Sequence, residues 1–314
     1  MESFDKIAKF TLQYKNIVIA LGTFDGLHKG HQSVISRAVD IARASDGTSV
    51  VFTFSNHPLS MLDPLRCPPQ LISQEEKEAL LADMGVDVFV AIPFNQEFLA
   101  LSPQKFIELL LTAFAPQHIV VGPNYSFGNK GEGTPELLAE AGRRHGFAVD
   151  VQPAVYVDQQ LVSSTLIRQM IAQGQVGEAA RLLGRPFALT GKVIDGDKRG
   201  RTIGFPTANI ELEPAFAIPA NGVYAVQVWL KGKRYNGVAN VGTNPTFHGE
   251  EQRLEVHLLD FSGDLYGQVL CTQFVAWLRG EAVFNGIEEL KNQIDRDIQA
   301  ALPYLKENSN KCGA

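Results

Sequence analysis

Between residues 15 and 183 the apolar positions fall into two alternating patterns. Short runs dominated by Val, Ile and Phe occur at Ile17–Leu21, Ser49–Phe54, Val86–Ile92, His118–Val121 and Ala148–Val151. Runs of this length predict buried strands rather than helices. Between them, His31–Ser45, Gln74–Met84, Pro103–Phe114 and Pro135–His145 read as helices. Ser73 followed by Glu76 forms a capping box, and Thr134 before Pro135 is an N-cap with a first-turn proline. Repeated β-α alternation predicts an α/β fold: a doubly wound parallel sheet with helices on both faces. In such sheets ligands bind beyond the carboxyl ends of the strands, near the point where strand order reverses.

After about residue 184 the pattern changes. Strand-like runs follow one another with turns between: Phe187–Val193, Gly222–Leu230, Tyr235–Val241, Arg253–Asp260 and Val269–Trp277. Only Ile287–Ala301 reads as a long helix, with Ile287, Leu290, Ile294, Ile298 and Leu302 at helical spacing. This predicts a small antiparallel β-barrel closed by one helix. The change falls at Leu183-Gly184-Arg185-Pro186, a glycine helix stop followed by proline, and divides the chain into domains 1–184 and 185–314. Length agrees, because 314 residues exceed the ~250–300 that one core usually serves.

Composition narrows the setting. A hydrophobic fraction of 45% with 20% charged residues is that of a globular protein and argues against disorder. A net charge of −6 argues against nucleic acid as the main partner, while 28 Lys and Arg leave room for a local anion site. No apolar run approaches the ~20 residues of a membrane span, and Met1–Phe10 has no signal-peptide pattern. Cys67, Cys271 and Cys312 are scattered, which suggests neither a disulfide framework nor a zinc ribbon and fits a reducing cytoplasm. The pattern carries no sign of oligomeric state.

Two stretches carry the chemistry. The first follows the strand Ile17–Leu21: Gly22-Thr-Phe24-Asp25-Gly26-Leu-His28-Lys-Gly30-His31. Its glycines let backbone approach a ligand, and the start of the following helix offers free N–H groups to a phosphate. His28 and His31, three apart, share a face of a first turn and can stabilise phosphate charge. No third ligand at suitable spacing supports a metal there. The second stretch is Gly191-Lys-Val-Ile-Asp-Gly196-Asp-Lys198-Arg-Gly200-Arg-Thr-Ile-Gly204-Phe-Pro-Thr207-Ala-Asn209. It has the glycines and cations of an anion cradle without Gly-Lys-Ser/Thr. Thr207 and Asn209 point the same way on an extended segment and can offer oxygens to Mg²⁺ with ATP phosphates. Downstream, Glu255 and His257 share one face of a strand, where a carboxylate can act as general base toward a hydroxyl.

His28-x-Gly-His31 resembles the signature of the nucleotidylyltransferase superfamily, and Gly22–His31 as a whole resembles its FAD-synthetase branch. Val121-Gly-Pro-Asn124-Tyr-Ser-Phe127-Gly128-Asn-Lys-Gly131 and Ser163-Ser164-Thr165-Leu-Ile-Arg168 are similar to two further motifs of that branch. Asn124 stands where many of its members carry Asp, and Ser55-Asn56-His57-Pro58 stands for Asp-Pro-His-Pro. The unbroken Gly204–Asn209 block resembles riboflavin kinase. So do, in order, Gly222-Val-Tyr224, Gly237–Thr246, Glu255-x-His257, Asp264–Gly267 and Trp277-Leu-Arg279-Gly-Glu281…Phe284, apart from Gly280. The resemblance covers nearly the whole chain and implies a bifunctional riboflavin kinase/FAD synthetase. It would phosphorylate riboflavin with ATP and Mg²⁺, then adenylylate FMN with a second ATP.

The resemblance implies catalytic roles for His28, His31 and Glu255. Nucleotide contacts fall to Gly22, Phe24, Asp25, Gly30, Asn124, Ser164, Thr165, Arg168, Gly191, Gly196, Lys198, Gly200 and Gly204. Flavin contacts fall to Phe127, Gly128, Arg279 and Phe284, and the metal to Thr207 and Asn209. Other small-substrate nucleotidylyltransferases share His28-x-Gly-His31 but are not expected to carry the second set of blocks. A flavin-binding sensor, or an enzyme with one active half, stays open at this stage.

Overall fold

The computed structural model describes residues 1–7, 10–195, 204–246 and 249–306. The chain divides into two compact units, one of 1–68 and 73–162, the other of 69–72 and 163–314.

The first unit is built on strands β1 (Glu2–Phe4), β2 (Ile17–Leu21), β3 (Thr48–Phe54), β4 (Val88–Ile92), β5 (His118–Val121) and β6 (Ala148–Val151). All pair in parallel, in the order β1-β4-β3-β2-β5-β6. Helix α1 (Lys29–Ala44) follows β2 and packs on β2, β3 and β5. The remaining helices of this unit are α2 (Leu59–Leu62), α3 (Gln74–Asp83), α4 (Gln96–Ala100), α5 (Pro103–Phe114) and α6 (Pro135–His145). Ser73 and Thr134 cap α3 and α6 through their side chains, as their spacing predicts. β2 and β4 are buried at every residue, which explains their unalternated sequences. Strand order runs from β2 outward to β3 and β4, then restarts on the other side of β2 with β5. The switch point therefore lies between the carboxyl ends of β2 and β5. A small hairpin, β7 (Tyr156–Val157) and β8 (Gln160–Leu161), ends the unit.

The second unit begins with α7 (Ser164–Ala172) and α8 (Val176–Leu183). Strands β9 (Phe187–Ile194), β10 (Ala208–Ile210), β11 (Gly222–Leu230), β12 (Lys233–Thr246), β13 (Gly249–Leu258) and β14 (Val269–Arg279) close an antiparallel barrel in the order β10-β13-β12-β11-β14-β9. Helix α9 (Ile287–Leu305) lies on β11, β12 and β14, burying Ala301 and Leu305 against Val223, Ala225 and Val238. It runs past the expected end at residue 301 and through Pro303. α8 packs on β14 and β9 through Val176, Ala179, Leu182 and Leu183. Cys67 is a free thiol, and Cys271 lies buried on β14.

Candidate active sites

The loop from β2 into α1 is built under backbone strain. Phe24, Gly26 and Leu27 all have positive φ, at 50°, 82° and 43°. Two non-glycine residues in this region persist only where their surroundings hold them. Both are 1% exposed, so burial of their side chains offsets the backbone cost. Gly22 has a packing reason as well, because a Cβ there would stand 2.8 Å from the Phe24 ring. Thr53 Oγ1, on β3, donates to the Thr23 carbonyl at 3.0 Å.

His28 is the N-cap of α1, and its Nδ1 accepts from the His31 backbone N–H at 3.2 Å. That bond fixes a neutral tautomer with the proton on Nε2, the nitrogen suited to donate to a phosphate oxygen. The His28 and His31 rings stack at 3.6 Å between centroids, and Phe24 meets His31 edge-on at 5.4 Å. Gly30 keeps this arrangement open, since a Cβ would lie 3.1 Å from the His28 ring. Asp25 is buried within the loop.

Asn124 lies exposed in the turn after β5, on the other side of the switch point. Phe127 does not open to solvent: it is buried against Phe106, Tyr125 and Gly133. Gly128 has φ 74°, and a Cβ there would lie 2.7 Å from the Pro103 nitrogen, so glycine is required by packing. Asn56 is likewise explained by structure, because its amide bonds both the N–H and the carbonyl of Phe94. His57 Nδ1 accepts from the Leu59 N–H. In the second unit, Ser163 caps α7, which puts Ser164 and Thr165 in its first turn. Arg168 Nε donates to the Pro69 carbonyl at 2.7 Å.

In the barrel, Asn209 on β10 sits directly opposite Glu255 on β13, and Glu255 is opposite Asn240 on β12. Directly paired residues present side chains on one face about 4.5–5.5 Å apart at Cβ. The row Asn209–Glu255–Asn240 is thus a strip of amide and carboxylate groups. The alternate residues Leu254, Val256 and Leu258 are buried. Thr207 is exposed just before β10. The donors Thr207 Oγ1 and Asn209 Oδ1 are hard oxygens of the kind Mg²⁺ accepts. His257 Nδ1 lies 2.8 Å from the Pro206 carbonyl, fixing the turn after Gly204 to β13. Beside it a cavity of about 520 Å³ is lined by Gly204, Pro206, His257, Phe261, Ile298 and Leu302, among others. Gly191 has a structural reason of its own, since a Cβ would lie 2.2 Å from the Glu211 carbonyl. Gly196, Lys198 and Gly200 lie outside the described residues.

Arg279 ends β14 in a bidentate pair with Asp297 of α9, with Nε–Oδ1 at 2.9 Å and Nη2–Oδ2 at 2.7 Å. Gln293 donates to the same carboxylate, and the Arg279 guanidinium lies 5.8 Å from the Phe284 ring centroid. The Arg279 and Asp297 side chains are 24% and 7% exposed, so the pair is largely shielded. Sequence reasoning passed over Asp297, which looks like one more polar residue of an amphipathic helix. It passed over Lys77 for a similar reason: α3 has no clean apolar stripe, yet Glu76, Lys77 and Leu81 are all buried.

A parallel sheet with a glycine-histidine loop at its switch point, joined to a closed barrel with a carboxylate–amide strip, defines a two-part nucleotide-handling protein. Comparison with known proteins narrows this. A family model described as FAD synthetase matches residues 11–166, and one described as riboflavin kinase matches residues 183–305. A bifunctional riboflavin kinase/FMN adenylyltransferase of Bacillus subtilis (strain 168) is 40% identical over 292 residues, 92% of each chain. One from Escherichia coli (strain K12) is 39% identical over 290 residues, again 92% of each chain. A crystal structure from Streptococcus pneumoniae described as a macrolide-efflux protein matches with a TM-score of 0.87 at 34% identity, covering 96% of this chain and 99% of that one. Among the described residues here, no helix is long and apolar enough to cross a membrane. The chain belongs to the bifunctional riboflavin kinase/FMN adenylyltransferase family.

Proposed function

We propose that the chain makes FAD from riboflavin in two ATP-dependent steps, one in each half. In the barrel, the riboflavin 5′-hydroxyl attacks the γ-phosphorus of ATP, the bond to the β-phosphate oxygen breaks, and FMN and ADP form. Glu255 takes the hydroxyl proton. The observation that carries this reading is the pairing of Glu255 with Asn209 across the β10–β13 ladder, which brings a base beside an oxygen donor suited to Mg²⁺–ATP. Thr207 and Asn209 would hold Mg²⁺, which when bound neutralises charge on the ATP phosphates. Gly204 and the turn fixed by His257 border the cavity proposed for substrate, while Arg279 shapes that region by tying β14 to α9.

In the parallel-sheet unit, an FMN phosphate oxygen attacks the α-phosphorus of a second ATP and pyrophosphate leaves. The incoming phosphate is already anionic, so no strong base is required. The Nε2–H of His28, the His31 ring and the N-terminus of α1 stabilise charge on the reacting phosphates. Asn124 positions nucleotide from the neighbouring strand end, while the triphosphate role of Ser164, Thr165 and Arg168, which fall in the second unit, rests on the resemblance alone. Incubation with riboflavin, ATP and Mg²⁺ followed by chromatography tests the whole reading. FMN and FAD are both expected. Flavin bound without turnover would leave a sensor, and FMN alone would leave one active half.

A further inference from the structure

Lys77 has no part in the proposed chemistry, yet among the described residues it is one of the few charged side chains that are buried, at 7% exposure. It stands in the first turn of α3, with its N–H bonded to the Ser73 carbonyl. This place is doubly unfavourable for a cation. Burial penalises an ammonium, and the N-terminal turn of a helix carries the positive end of the dipole. Burial accordingly lowers the Lys77 pKa, opposed by the Asp25 carboxylate. An apolar side chain of similar length would fill the space without desolvating a charge, and such exchanges are often neutral or stabilising. Packing therefore does not account for a lysine here.

Its surroundings do. Lys77 Nζ lies 3.5 Å from the Thr23 carbonyl and faces buried Asp25, both in the strained β2–α1 loop. The same carbonyl accepts from Thr53 Oγ1, so the turn is held from β3 and from α3 together. Phe24 and Leu27 need such support to keep positive φ. One residue past that turn is His28.

We propose that Lys77 is a positioning residue for adenylyl transfer, its ammonium pinning Thr23 and Asp25 so that His28 and the N-terminus of α1 face the phosphates. The proposal rests on the reading of Gly22–His31 as the phosphate loop. Its test uses the full-length chain with Lys77→Met and Lys77→Arg. FAD formation from FMN is measured as kcat and as KM for ATP. Riboflavin phosphorylation and thermal unfolding are followed in the same samples. Lys77→Met should lower kcat for FAD formation about 10²-fold, the scale of a small misplacement in a reacting site, with KM for ATP and the kinase rate unchanged. Lys77→Arg keeps the charge and should recover most of the rate. A folded Lys77→Met variant with full kcat, a loss confined to KM, or Lys77→Arg as slow as Lys77→Met would each overturn it. Should Lys77→Met fail to fold, Lys77→Arg decides: near-normal kcat supports the role, and a folded but slow variant removes it. His28→Ala, run alongside, separates the two levels. Undiminished FAD formation there would overturn the loop reading itself, and this proposal with it.

Discussion

His28 has one observed role and one proposed role, and they can be separated. As N-cap it accepts the His31 N–H, and in the proposed adenylyl transfer its imidazole would offer Nε2–H to the phosphates. His28→Ala should cost about 1 kcal/mol of stability in the first unit through loss of the cap. It should also slow FAD formation roughly 10²–10³-fold through loss of a preorganised donor. His28→Asn restores a capping acceptor but not the imidazole, so thermal unfolding should return toward normal while FAD formation stays slow. Full activity in His28→Asn would remove the imidazole from the reaction. Glu255→Gln should act on the other half alone. It retains size and hydrogen bonding but not basicity, so FMN formation should fall about 10²–10⁴-fold while supplied FMN still becomes FAD. A kinase rate unchanged across pH would take Glu255 out of the base role. His28 stands out in the sequence because it sits in a dense, unusual loop, whereas Glu255 lies on a strand and stands out only through the ordered blocks that resemble riboflavin kinase. Lys77 does not, since a lysine after Glu75 and Glu76 on a helix looks solvent-facing, and only the fold buries it under the β2–α1 turn.

At the scale of elements, β14 and α9 are joined by the Arg279–Asp297 pair rather than by apolar contact alone. Breaking a shielded pair from one side strands a charge, so Asp297→Ala should destabilise the second unit by about 3 kcal/mol. Both tryptophans, Trp229 and Trp277, belong to this unit, so denaturant unfolding followed by intrinsic fluorescence reports it directly. An unchanged midpoint would mean that the pair contributes nothing. Elements were legible where their pattern was uniform. Strands β2 and β5 and the capped helices α5 and α6 match their sequence bounds, and β3 and β4 start within one or two residues of theirs, because runs of Val and Ile, N-caps and prolines all agree. β1 is three largely exposed residues paired only to β4, and β10 is three residues inside a motif. Neither is long enough to show a period, although β10 places Asn209. Several glycines that look like ligand contacts, Gly128 and Gly191 among them, also have a packing reason in close backbone approach, which the sequence does not show.

For the whole molecule, the question is where the kinase half begins. The compact second unit starts at residue 163 and takes α7 and α8 with it, while the riboflavin kinase match starts at residue 183. The glycine stop at Gly184 is present, with φ 80° at the end of α8, but it ends a helix whose apolar face lies on β14 and β9. A fragment from Arg185 to Ala314 contains every kinase residue proposed here, yet it would expose the barrel surface that Val176, Ala179, Leu182 and Leu183 cover. Burial of even one such aliphatic side chain is worth about 1.5–3 kcal/mol, which is large against the stability of a small domain. We therefore expect the fragment 163–314 to fold and to phosphorylate riboflavin. The fragment 185–314 should unfold at a lower denaturant concentration and make FMN more slowly at the same temperature. Both would lack residues 69–72, whose Gln70 bridges Phe216, so both should be somewhat less stable than the same unit in the full chain. Circular dichroism, tryptophan fluorescence and an FMN assay on the two purified fragments decide it. Equal stability and activity would put the working boundary at residue 184, with α7 and α8 dispensable to the barrel. A folded 163–314 fragment that makes no FMN would mean that phosphorylation needs the first unit.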